Sequence, residues 1–356
     1  MHKDLNESKK FILRYLLIVL LGLGLLSAVS IYIQPLEGDL TRMGGFAERD
    51  FGWNIPQEVL NQNVRLNHSY EKYYDIVVLG DSFSKQGLWQ SYFTEHNGLS
   101  FTALSWDNTT VDDIINNPTY KNDPPRLFIV EVGVRLFPLR FYSDKPNCNI
   151  QEVAKFNANW HFPNKAQNNL FEKKIRDTSF DLSKINLKFA LLYLENSVLR
   201  LIFNTDFSKV SKYSLTRSDL FSNLRSSEVL LLQTWFESKV WKPDEISSSI
   251  CAVGKIQSIV QANGKTIFVL MPIPDKGSAY SDYIISPEFT MLKDLFLQLK
   301  NSNIHTPKLD IAIKKAIDSG ERDIYLPNDT HFGSKGYQLT ANTLHELLLD
   351  LGVNIN

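Results

Sequence analysis

A short apolar run, Asp75-Ile-Val-Val-Leu79, passes directly into Gly80-Asp81-Ser82. A β-branched run without polar alternation suits a strand covered on both faces, as in the parallel sheets of α/β proteins. Ending it at Gly-Asp-Ser sets a hydroxyl at the carboxyl edge of the sheet, where open α/β sheets bind ligands. The flanking pattern agrees. A helix is predicted over 86–96, with Leu88, Tyr92 and Phe93 on one face, then a strand over 99–105 and a short helix over 110–116. Pro124-Pro125 precedes a third strand over 127–132. A helix over 245–263, stopped by Gly264, leads to a fourth strand over 266–271, a helix around 287–300 and a short last strand over 324–326. The final helix, 337–351, carries Tyr337, Ala341, Leu344, Leu348 and Leu351 as a core-facing stripe. Strands alternating with helices argue for βαβ units and an α/β fold.

The rest of the chain divides around this core. Residues 11–33 are almost continuously apolar and as a helix would reach roughly 34 Å, enough to cross a bilayer. Lys3, Lys9, Lys10 and Arg14 lie at or before its start, and Glu37 and Asp39 follow it. The excess of basic residues on the N-terminal side places residues 1–10 in the cytoplasm and the remainder outside, as a single-pass signal anchor in the cytoplasmic membrane. A cleaved signal peptide ending near Ala28-Val-Ser30 is the alternative. Residues 34–70 read as a polar extracytoplasmic arm without periodicity, 71–137 as the first half of the core and 244–356 as the second. Residues 138–243 read as an inserted cap, mostly helical, with helices over 187–203 and 218–241; its function is open.

Composition excludes several classes. The net charge is −1, with 38 basic against 39 acidic residues, so no global field points to nucleic acid. Cys148 and Cys251 form no Cys-x-x-Cys pair, and the seven histidines show no metal-ligand spacing, so neither a metal nor a cofactor is expected. The two cysteines are either a disulfide or two free thiols.

A serine, a histidine and an aspartate make an activated nucleophile, and Asn328-Asp329-Thr330-His331 supplies the last two just before the final helix. Ser82 attacks an acyl carbonyl in this reading, His331 takes its proton, and Asp329 orients the imidazole. The plain alternatives are a helix cap for Ser82, a surface histidine for His331 and a turn residue for Asp329. The Ser82 backbone N–H is the natural first donor to an oxyanion.

These residues resemble the SGNH/GDSL superfamily of hydrolases and acyltransferases. Gly80-Asp81-Ser82 is similar to its first block, and Asp329-Thr330-His331 followed by Gly336-Tyr337 to its last; the resemblance covers residues 71–135 and 255–352. At the third block, classical members carry Gly-x-Asn-Asp, whereas Arg135 stands here at the Asn position after Gly133. The Glu131-x-x-x-Arg135 strand end, the Asp-x-His spacing, and Pro274-Asp275-Lys276 with Tyr280 resemble the alginate O-acetyltransferase group, which acts on exopolysaccharides outside the cytoplasmic membrane. Here the Asp-x-His follows the serine. That order, with an N-terminal anchor, is similar to the D-alanyl transfer protein of teichoic acid synthesis. No second-block glycine follows the second strand; Ser105-Trp-Asp-Asn108 fills its place, making Asn108 a candidate oxyanion donor.

The resemblance implies an SGNH (flavodoxin-like) three-layer parallel sheet and a membrane-anchored O-acyltransferase, in particular an O-acetyltransferase. It would modify a cell-surface polysaccharide or oligosaccharide, with acetyl groups supplied by a multi-span membrane acyltransferase. An esterase with the same triad and a non-catalytic glycan-binding or assembly protein are the alternatives. Asp81, Asn108, Arg135 and Lys276 are further candidates for oxyanion or substrate binding. Arg135 pairing with Glu131, and Lys276 as a solvated loop lysine, are the competing readings.

Overall fold

The computed structural model describes residues 2–33, 37–62, 70–95, 98–142, 171–176, 185–204, 206, 208–233, 241–286 and 293–353. The N-terminal part runs α1 (His2–Ile33), α2 (Asp39–Gly44), α3 (Glu48–Phe51) and β1 (Gln57–Gln62). Next come β2 (Ile76–Gly80), α4 (Ser82–Lys85), α5 (Leu88–Thr94), β3 (Phe101–Ser105), α6 (Val111–Ile115), α7 (Pro118–Asn122), β4 (Leu127–Gly133) and α8 (Phe137–Phe141). The middle holds β5 (Phe171–Arg176), α9 (Leu187–Phe203), β6 (Val210–Ser214) and β7 (Glu228–Leu232). The chain closes with α10 (Pro243–Gln261), β8 (Ile267–Ile273), α11 (Lys276–Tyr280), α12 (Lys293–Lys300), α13 (Leu309–Asp318) and α14 (Ser334–Asp350).

Four strands form one parallel sheet in the order β3-β2-β4-β8. The apolar runs are continuous because both faces are covered. Ile76, Val78, Ile129 and Val269 enter one buried cluster, with Tyr337, Ala341, Leu344 and Leu348 of α14, whereas Val77, Leu79, Phe128, Val130 and Leu270 enter a second, with Val253 of α10. Alternation along each strand thus feeds two cores. Gly80 pairs with Ser105, and β4 ends at Gly133, so the carboxyl ends of these strands share one edge.

Several sequence expectations change. The arm is structured: it carries α2, α3 and β1, and β1 pairs antiparallel with β5 of the middle segment. Elements of four to six residues are too short to show a period in the sequence. The helix expected over 218–241 is β7, paired with β6, in its described part. Leu-rich stretches are ambiguous between strand and helix, and pairing with β6 decides. The expected last strand over 324–326 makes only a single bridge, Tyr325 to Phe332. α13 was not anticipated. The first turn of the helix expected around 287–300 lies outside the described residues, as does Cys148. Cys251, on α10, is disulfide-bonded.

From residue 8 to its end, α1 (Ser8–Ile33) is long and apolar enough to span a membrane. Most of its apolar side chains are exposed, which distinguishes it from a buried core helix.

Gly80 is where the sheet meets the candidate site. A Cβ there would lie 2.6 Å from Glu131 Oε2 and 2.7 Å from Ser84 Oγ. Gly80→Ala should therefore destabilise the fold by about 1–3 kcal/mol through overpacking. The measurement is the urea unfolding midpoint, and an unchanged midpoint would mean that Glu131 moves aside freely.

Candidate active site

The turn after β2 is built by hydrogen bonds that start in the sheet. Asp81 caps α4 by accepting from Phe83 N at 3.0 Å, and its other oxygen accepts from Gly133 N at 2.9 Å. Glu131, on β4, accepts from Asp81 N at 3.0 Å and from Ser84 Oγ at 2.7 Å, and Trp89 Nε1 donates to Ser84 at 3.2 Å. Burial, reinforced by the Asp81 charge, raises the Glu131 pKa well above the usual carboxylate range. A charged residue in an otherwise apolar strand was the sequence signal for this role. Asp81 is thus a cap and strand bridge.

Ser82 opens α4, and its backbone N–H has no hydrogen-bond partner among the described residues. Ser82 Oγ lies 2.8 Å from His331 Nε2, and His331 Nδ1 lies 2.6 Å from Asp329 Oδ1. Asp329 Oδ1 also accepts from the His331 backbone N–H at 2.9 Å. The structure therefore brings Ser82, His331 and Asp329 into one hydrogen-bonded chain, across 249 residues for the first pair. Phe83 supports the imidazole, with ring centroids 4.9 Å apart.

The acid is not alone. Asp39, from the arm, accepts from Thr330 N at 2.8 Å and from Thr330 Oγ1 at 2.5 Å, and its Oδ2 lies 4.0 Å from His331 Nδ1. The Asp39 backbone N–H donates to Asp329 Oδ2 at 3.1 Å. Burial and the charge of Asp329 raise the Asp39 pKa. Burial also opposes ionisation of Asp329, but its hydrogen bonds to His331 and the charge of that ring win and bring it to about 2. For His331, burial lowers the pKa, yet Asp329, Asp39 and Asp81 together raise it above the ordinary imidazole value. Donor atoms of Asp39, Asp329 and His331 lie within 4.8 Å of one another, as in a cation site. Thr330, His331 and the Asp39 N–H already occupy these carboxylate oxygens, so an ion would have to displace that network.

The loop carrying the acid and base is held from two sides. Lys276 Nζ, fully buried, donates to the carbonyls of Leu326 at 2.9 Å, Pro327 at 2.8 Å and Asp329 at 3.3 Å. Burial pulls its pKa down to about 7, against the charges of Asp329, Asp39 and Asp323. Lys276 is neither the solvated lysine nor the substrate contact that the sequence allowed; it positions the loop. From the arm, Glu48 accepts from Thr41 Oγ1 at 2.6 Å and from Asn328 Nδ2. Leu40 N donates to Asn328 O at 3.0 Å, and a Cβ on Gly38 would collide with that same carbonyl.

Arg135 lies in a helical turn beyond β4 at the site's edge. Among the described residues it makes no pair with Glu131, whose carboxylate is bonded to Asp81 N and Ser84 Oγ. Its charge instead acts on buried Asp275, whose Oδ2 has no hydrogen-bond partner among the described residues. Asn108 is exposed in the turn after β3, where Trp106 N donates to Gly80 O at 3.3 Å. Its side chain makes no hydrogen bond among the described residues. Asp39, Glu48 and Thr330 escaped the sequence reading, since nothing in the arm marks which acidic residue folds back.

Compared with models of protein families, with curated proteins and with solved structures, the chain matches none.

Two predictions follow from the supports of the loop. Burial raises the Glu48 pKa from 4.5 to about 7. A raised folded-state pKa gives stability that is complete below the unfolded value and is lost as pH climbs through about 7. The wild-type advantage over Glu48→Gln should therefore shrink between pH 4.5 and 8, by on the order of 3 kcal/mol, in denaturant titrations; a constant difference would refute it. Lys276→Met leaves the loop carbonyls without their donor and should cost about 1–3 kcal/mol per unsatisfied group. Calorimetry of the variant checks this.

Proposed function

We propose that this chain is a membrane-anchored, extracytoplasmic O-acyltransferase acting on a cell-surface glycan through an acyl-enzyme on Ser82. The observation that carries the reading is the Ser82–His331–Asp329 chain at the carboxyl edge of a parallel sheet. It is the arrangement that the resemblance to SGNH enzymes implies. Support for the compartment comes from the apolar helix α1, the basic residues ahead of it, and the disulfide at Cys251, a bond that persists in oxidising environments.

His331 Nε2 takes the Ser82 proton as Oγ attacks the acyl carbonyl, and Asp329 stabilises the imidazolium. The tetrahedral oxyanion is met by the Ser82 N–H, with Asn108 or Arg135 as second donor from the neighbouring turns. Collapse breaks the bond to the leaving group, which receives the proton from His331. A sugar hydroxyl then attacks the acyl-Ser82 ester, giving its proton to His331, which returns one to Ser82 Oγ. Because one span cannot carry activated acyl groups across a bilayer, the acyl donor requires a multi-span membrane acyltransferase as partner. The same triad performs ester hydrolysis when water replaces the sugar.

A purified chain given an activated acetyl ester should release a burst of leaving group equal to the enzyme, followed by slower turnover. Ser82→Ala should abolish the burst and reduce turnover by about 10³-fold or more, while Asp329→Asn should retain partial activity. Oligosaccharide acceptors should accelerate turnover and become acetylated. A burst that survives Ser82→Ala would overturn the acyl-enzyme. Faster hydrolysis without acetylated sugar would replace transfer by esterase activity.

A further inference from the structure

The long helix α9 turns an aliphatic face outward, which a water-soluble surface does not favour. The side it turns to the protein carries Phe189, Ala190 and Asn196 together with Arg200. Arg200 donates to the carbonyls of Gly44 and Gly45 and pairs with Asp206 at 2.7 Å. Leu191, Val198, Leu201 and Ile202 lie on the opposite face at helical spacing and are 54%, 51%, 86% and 64% exposed. The inward side thus mixes apolar and polar groups while the outward side is aliphatic, unlike a globular surface helix, whose outward face is polar.

Its position supplies the reason. The first turn of α9 is joined to the last turn of α1: Asn186 N donates to Ser30 Oγ at 2.9 Å, and Phe189 is buried with Ile33. α9 therefore begins where α1 ends, and both helices expose apolar side chains near this junction, Ile31 on α1 and Leu191 on α9. Tyr32, beside the same junction, is exposed with Arg49 stacked 4.8 Å over its ring, a pairing suited to the headgroup level. Nothing on the outward face is small or polar, as the packing of one membrane helix on another favours. Lys188 and Glu195, exposed along one margin, suit the boundary with water.

We infer that α9 lies on the bilayer, its Leu191–Val198–Leu201–Ile202 face embedded at the boundary of headgroups and acyl chains beside the exit of α1. This makes the protein bitopic at α1 and monotopic at α9, whichever reaction Ser82 performs. The inference rests on α1 being in the membrane, which the test checks separately.

The full chain is reconstituted in phosphatidylcholine nanodiscs containing a lipid with a nitroxide near its carbonyl. Fluorophores are attached singly at Val198→Cys and Ile202→Cys, with Leu21→Cys as membrane control and Glu321→Cys as aqueous control. Emission at 198 and 202 should fall at least about twofold, as expected of residues within 5–10 Å of the headgroup–acyl boundary, and stay constant at 321. Quenching at 21 with emission at 198 and 202 matching that at 321 would overturn the proposal while leaving the anchor intact. So would shielding of 198 and 202 that arises only when a multi-span membrane protein is added, which would assign the face to a protein partner.

Discussion

The ammonium of Lys276 is the interaction on which the candidate site depends. Residues 326–331 form a loop whose carbonyls have few partners in regular secondary structure, and buried carbonyls need donors. Lys276 serves three of them at once, from the first turn of α11. Burying an isolated charge would be prohibitive, but Asp329, Asp39 and Asp323 surround it with compensating charge. The residue that sets the loop's path is therefore also balanced by the acid that the loop presents.

Two sets of paired carboxylates divide the labour. Glu131 is driven towards its neutral form beneath Asp81 and orders the turn that aims Ser82. Asp39 and Asp329 both lie beside His331, yet their environments push their pKa values apart. Negative charge is thereby concentrated on Asp329, which bonds to His331 Nδ1, while Asp39 steadies the residue between them. Such separation is how neighbouring acids acquire different roles.

The arm joins this site to the apolar helix α1. Asp39, Glu48 and Gln57 reach Thr330, Asn328 and Ser334 respectively, so the segment leaving α1 is bonded into the same loop and the first turn of α14. With α9 seated against the end of α1, that apolar helix and the candidate site are linked through one network of contacts rather than by a loose tether.

The sheet was legible because β2, β4 and β8 are buried on both faces and so appear as unbroken apolar runs, and α14 because its stripe repeats with the helical period. Ser82, Asp329 and His331 were legible for a different reason: their types, spacing and position after a strand or before a helix are local features. Residues 39, 48 and 276 were not, since an acidic or basic side chain in a polar segment looks solvated until a distant loop folds over it. The same blindness hid β7, whose leucines fit a helix equally well until β6 provides a partner. Sequence by itself thus determined the α/β class, the apolar span and the identity of the candidate site residues, all set by short-range periodicity and residue chemistry. Only the tertiary structure decided which buried charges hold the loop and which face of α9 is left apolar and uncovered, because burial and pairing are relations between segments far apart in the chain.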